Sequence, residues 1–243
     1  MTRGTLSGLI GLGIASTASA SFTGFVVTSA NVTNSGQNLT VYSVYARFNG
    51  PTDTLLNCFN FGGVGSTVMT GFWHKDNATY NSSVLSQEFG TWNPSQTGSV
   101  TLNRPFDSYL TVGNQAVGTN TSNADPSWVS GGTGAGAGDV RSWNRPDLPN
   151  NGTLGWFNSN PPNNQGRVGV GSNTATDVRI GQFVLSATDP SQLDGRRTYV
   201  VTLGYNNGVA GSAVQFATAN FSIPAPGAVA LLGLAGLAGR RRR

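Results

Sequence analysis

The chain has 243 residues, 37% of them hydrophobic and only 10% charged, with 34 glycines and a single cysteine. That is too apolar for disorder throughout and long enough for one core of sandwich size, while the lone Cys58 excludes an intramolecular disulfide. The net charge of +4 belongs to the ends: with Arg3 and Arg240 to Arg243 set aside, nine basic residues face ten acidic ones, and Arg47, Lys75, Arg104, Arg141, Arg145, Arg167 and Arg179 stand singly, which argues against a nucleic-acid surface.

The first element in chain order is a leader. Met1 to Arg3 is basic, Leu6 to Ala15 is apolar, and Ala18-Ser19-Ala20 is a small-x-small site, so residues 1–20 read as a secretory signal peptide cleaved after Ala20. An apolar run of about ten residues is short for a bilayer span, which needs about 20. The mature body is then expected over residues 21–223.

Within the body, apolar residues recur with period two and not with the 3.6 of a helix. In "LTVYSVYARF" Tyr42, Val44, Ala46 and Phe48 share one side, with Arg47 on the other. Asn49-Gly50-Pro51 then offers a tight turn. Cys58 follows in the strand-like "TLLNCFNF", where it reads as a small buried hydrophobe. His74, the only histidine, lies in "GFWHKD" and reads as a solvated strand-end residue, while Trp73 and Trp92 read as core or sheet-edge residues. Further on, "FDSYLTV" places Phe106, Ser108, Leu110 and Val112 on one face.

Residues 113–177 break this pattern. Gly, Asn, Ser, Thr and Pro dominate, as in "GGTGAGAGD" and "NSNPPNNQG", so the segment reads as a loop-rich insertion with one or two short strands and no core of its own. Trp128, Trp143 and Trp156 fall in it. A flat indole can stack on a sugar face, which makes these three candidate glycan-binding residues, but burying each one would equally pin its loop to the scaffold, and that is the preferred reading. The last three strands, near 180–187, 198–205 and 213–223, are expected to form a meander through Asp194-Gly195 and Asn207-Gly208. The fold class is therefore all-β: a single antiparallel β-sandwich, with a jelly roll or barrel as the alternative.

Reactive constellations are sparse. One histidine and one cysteine do not make a zinc set, no Gly-x-Ser-x-Gly elbow occurs, and Glu88 is the only glutamate, so no catalytic or metal site is expected and the protein reads as a non-enzyme. Asp189 and Asp194 in "TDPSQLDG" could hold structural calcium, but they lack EF-hand spacing and read better as an Asx-turn loop. No other cofactor is expected.

The C-terminus carries a second label. Pro224-Ala225-Pro226-Gly227 precedes a Leu/Gly/Ala segment, Ala228 to Gly239, and then Arg240, Arg241, Arg242 and Arg243. As a helix those twelve residues cover about 18 Å, short of a hydrocarbon core about 30 Å thick, and the arginines hold the inner face. This three-part order resembles the PEP-CTERM sorting signal of exported bacterial proteins, with Ala225 where the family commonly has Glu, a Pro-Ala-Pro variant. The resemblance covers residues 224–243 only. It implies transient handling by the Sec export machinery and by exosortase, a membrane-associated precursor, and a mature protein at the cell surface or in extracellular polysaccharide. The expected role is structural or adhesive; the alternatives are a carbohydrate-binding module using the loop tryptophans and, behind it, a polysaccharide-acting hydrolase or lyase.

Overall fold

The computed structural model describes residues 19–76, 84–96, 98–99, 101–113, 118–129, 143–149, 152–188 and 197–224. Nine strands run through them: β1 (Phe22–Asn34), β2 (Gln37–Phe48), β3 (Thr54–Gly63), β4 (Tyr109–Leu110), β5 (Ser122–Ala124), β6 (Leu154–Asn158), β7 (Asp177–Ser186), β8 (Arg197–Asn206) and β9 (Gln215–Ile223). The only helical pieces among the described residues are four short 3-10 turns. The fold is an antiparallel β-sandwich whose first sheet has the order β1-β2-β7-β4 and whose second has β5-β6-β3-β8-β9.

The alternation in β2 sets the inner face of the first sheet. Tyr42, Val44, Ala46 and Phe48 are each at most 1% exposed and join one core with Val178, Ile180, Phe183 and Leu185 of β7. That β7 set is out of strict period, and the register shows why. Val44 pairs with Gly181 and Tyr45 with Arg179, so Ile180 is an extra residue that lets the strand change phase and still face inward on both sides of the bulge. From the second sheet come Leu55, Cys58, Phe61, Leu154, Trp156, Tyr199, Val201, Leu203, Tyr205 and Phe221. Their aromatic rings meet at the seam: Phe61 stacks on Tyr199 at 5.3 Å, Phe183 stacks on Tyr199 at 5.8 Å, and Trp156 meets Phe61 edge-on at 5.5 Å.

Several turn and strand expectations change. Asn49-Gly50-Pro51 does not close a hairpin; β2 and β3 lie in different sheets, so this corner carries the chain across the sandwich. The expected meander of the last three strands is likewise replaced, since β7 pairs with β2 and β4 while only β8 and β9 pair with each other. Local turn chemistry states that the chain reverses, not which sheet it rejoins. The first hairpin, β1 to β2, turns through Ser35 and Gly36, whose φ values of 49° and 77° suit a tight reversal between twisted strands. β1 itself escaped sequence reading because most of it is half-buried or exposed and does not alternate cleanly.

Residues 113–177 contribute β5 and β6, and β6 pairs with β3 inside the second sheet. A buried polar network fastens the segment. Gln165, 0% exposed, donates to Val112 O, Asn120 Oδ1 and Ser122 Oγ at 2.6–2.9 Å and accepts from the Thr121 amide at 2.8 Å.

Candidate functional site

The chemistry gathers along the β7 edge of the first sheet, next to β4. β4 occupies the edge of β7 only at Gln182 and Gly181, and the segment around Trp73 continues that edge: the Trp73 amide donates to Val184 O at 2.9 Å. Ser108 locks the two segments together, its amide and hydroxyl both donating to Trp73 O while its Oγ accepts from the Val184 amide. His74 comes next and forms an isolated antiparallel bridge with Ser86. Asp107 leaves the 3-10 turn Arg104–Phe106 in an extended conformation just before Ser108. The two residues, 33 positions apart, are thereby brought face to face.

His74, Asp76 and Asp107 are 1%, 4% and 0% exposed. Each offers one ligand atom, and these atoms lie within 4.8 Å of one another. The imidazole is held tightly. Its Nε2 lies 2.9 Å from Pro146 O, Trp92 meets its ring edge-on at 5.0 Å, and Gly90 packs beneath it so closely that a Cβ there would stand 2.3 Å from His74 Cγ. Only glycine fits at position 90.

A carbonyl can only accept, so Nε2 carries a hydrogen and donates to Pro146 O. His74 Nδ1 then faces Asp107 Oδ1 at 3.4 Å, a charge contact too long and poorly directed for a hydrogen bond. Asp107 Oδ1 accepts from the Lys75 amide at 2.9 Å, but Asp107 Oδ2 is buried with no hydrogen-bond partner among the described residues. Asp76 Oδ2 accepts from the Thr91 amide at 2.7 Å. Burial pushes the Asp107 carboxyl up to about 6, against the lowering pull of His74, and the Asp76 charge adds to the rise. Burial alone would lower the His74 pKa, but Asp107, the Pro146 carbonyl and Asp76 together raise it.

This cluster corrects two expectations. His74 is not a solvated strand-end residue; it is buried under Trp92 and Gly90. The inventory of His and Cys also missed a ligand set completed by aspartates. Glu88 stays outside it, exposed beside the Ser86 hydroxyl, which accepts from its amide. Because no member of the cluster is more than 4% exposed, a polymer substrate cannot reach it in the folded state.

The three candidate glycan tryptophans take the preferred reading, as anchors of the insertion, and not the glycan-binding one. Trp128, Trp143 and Trp156 are 3%, 4% and 1% exposed and belong to the main core, so none presents a free face to a sugar. Trp128 Nε1 donates to Gly155 O and Trp156 Nε1 to Thr111 O, while Trp143 packs on Trp128 at 5.2 Å. They pin the insertion to the sandwich. Cys58 is buried as its sequence context suggests, and burial pushes its thiol pKa well above the ordinary value.

Of the proposed processing points, Ala20 and Pro224 are described. Ala20 is 2% exposed and packs in the core, and Ser21 O accepts from the Asn49 amide. At the other end, Tyr42 Oη donates to Pro224 O at 2.6 Å. Ala18, the sorting residues Ala225, Pro226, Gly227 and Arg240 to Arg243, the predicted C-terminal helix, and Asp189 and Asp194 of the calcium candidate lie outside the described residues. Compared with protein-family models, curated proteins and solved structures, the chain matches none.

Proposed function

We propose that the protein is an exported, non-enzymatic structural or adhesive component of the cell surface or extracellular polysaccharide, delivered by its N-terminal signal and sorted by its PEP-CTERM-like tail. The observation that carries this reading is where the last described strand ends. β9 ends at Ile223, 1% exposed in the core, and the next residue is tied down by the Tyr42 hydroxyl, whose pKa burial pushes up to about 12. The Pro-Ala-Pro segment thus begins at Pro224, directly after Ile223 of the core. A detachable address suits that arrangement. Burial of all three loop tryptophans favours a scaffold role over a glycan platform built from them.

The test is the intact mass and cell fraction of the mature protein in a bacterium that carries exosortase. The expected product lacks residues 1–20, ends near Pro224 to Pro226, and is found at the surface or in the matrix. A chain lacking residues 225–243 keeps its melting temperature but is no longer retained there. Recovery of intact Met1 to Arg243 from the cytosol overturns the reading.

A further inference from the structure

We propose that His74, Asp76 and Asp107 bind one divalent transition-metal ion of the zinc type, which fastens the segments carrying them to the β7 edge of the first sheet.

The argument starts from His74. Its Nε2–H is committed to Pro146 O at 2.9 Å, which leaves Nδ1 to point at Asp107. A metal-bound imidazole characteristically donates its other N–H to a carbonyl in this way, fixing the tautomer and ring orientation. Without a proton or cation between them, Nδ1 would turn a lone pair toward a carboxylate oxygen. The 3.4 Å separation is poor for a hydrogen bond. It equals the spacing of about 3.4 Å between two ligand atoms that share a tetrahedral zinc at about 2.0–2.1 Å.

Charge balance points the same way. In this low-dielectric site the Asp107 carboxylate keeps Oδ2 without a hydrogen-bond partner among the described residues. A divalent ion with a neutral imidazole and two carboxylates is neutral overall. Both carboxylates are held in place as well, by the Lys75 and Thr91 amides. One nitrogen and two carboxylates suit zinc, which binds mixed N/O sets and accepts water as a fourth ligand; calcium asks for six to eight oxygens, and magnesium for an octahedron of them.

The ion need not enter a finished protein. Its three ligands meet only as the segments dock, so binding is coupled to folding. In an exported chain with one cysteine, it would supply the cross-link that a disulfide supplies elsewhere.

The experiment uses the purified mature protein, unfolded with a chelator, freed of it, and refolded separately with Zn2+, Co2+, Ca2+ and Mg2+. One equivalent of Zn2+ should bind and raise Tm by roughly 5–10 °C at a hundredfold excess over Kd. Co2+ should give the visible absorption of a four-coordinate site. Asp107→Asn should weaken Zn2+ binding about tenfold or more. His74 is the only histidine, so its two ring-nitrogen NMR signals provide a test that needs no variant. Addition of Zn2+ should shift Nδ1 and leave Nε2 protonated. The proposal is overturned if folded protein takes up no stoichiometric Zn2+ or Co2+, if Ca2+ or Mg2+ alone stabilises it, if Asp107→Asn binds Zn2+ as tightly as wild type, or if the ring remains a doubly protonated imidazolium in excess Zn2+.

Discussion

The inter-sheet seam and the polar layer along the β7 edge of the first sheet are both buried, but they are held by different means. At the seam, Tyr42, Phe61, Phe183, Tyr199 and Trp156 bury apolar area through non-directional contacts. In the edge layer and the insertion, Ser108, Gln165, His74, Asp76 and Asp107 are buried and bonded through specific atoms. The seam can repack around a changed side chain, because apolar contacts survive small shifts. A buried polar network cannot, because each member that loses its partner keeps the full desolvation cost. The protein therefore combines one region tolerant of change in shape with another intolerant of change in polarity.

The largest effect should come where the two regions share a residue. Trp156 contributes its ring to the seam against Phe61 and its Nε1–H to Thr111 O at 2.9 Å. Trp156→Ala should lose about 3–5 kcal/mol, through the cavity and an abandoned carbonyl, and lower Tm by roughly 6–20 °C in thermal unfolding. A loss no larger than that of an exposed substitution would mean that the insertion is not fastened through this indole.

A sharper contrast comes from two swaps of similar volume, one in each region. Gln165→Leu removes bonds to Val112 O, Asn120 Oδ1, Ser122 Oγ and the Thr121 amide, and should cost about 2–3 kcal/mol in denaturant unfolding. Leu203→Met, at a seam position 0% exposed, should cost less than about 1.5 kcal/mol. If Leu203→Met proves the costlier, the division drawn above fails.

The same division explains what could be read from the sequence. Tyr42, Val44, Ala46 and Phe48, and likewise Tyr199, Val201, Leu203 and Tyr205, announce their face by period-two alternation, because burial on one side of a sheet is a local property. The sandwich class follows from such runs. The sheet assignment of β7 does not, since a turn fixes reversal and not partner, and the Ile180 bulge breaks the period that would mark its inner face. The polar site is less legible still. His74 in "GFWHKD" and Asp107 in "FDSYLTV" meet only because β7 offers its edge to both segments. One signal was present: Asp107 lies between Phe106 and the alternating run Ser108 to Val112, so it stands at the start of a strand-like segment. The tryptophans show the converse, since a polar context in sequence coexists with nearly complete burial in the fold.

The smallest effect belongs to the ion pair at the rim, where neither mode of burial operates fully. Arg47 donates through Nε and Nη2 to the two oxygens of Asp177 at 2.7 and 2.9 Å, with side-chain exposures of 48% and 12%. Its hydrogen bond holds the Asp177 carboxyl below the usual carboxylate range, against the opposing effect of burial. A depressed folded-state pKa stabilises the protein at pH values above that of a free aspartate, about 3.9, and the contribution fades as pH falls through the folded value. Asp177→Asn should thus lower Tm slightly at pH 7 and progressively less on acidification, with added salt shrinking the gap as well. Measured from pH 7 to pH 2, a gap that did not shrink toward acid would assign the Asp177 contribution to its hydrogen bond with the Thr176 hydroxyl rather than to its charge.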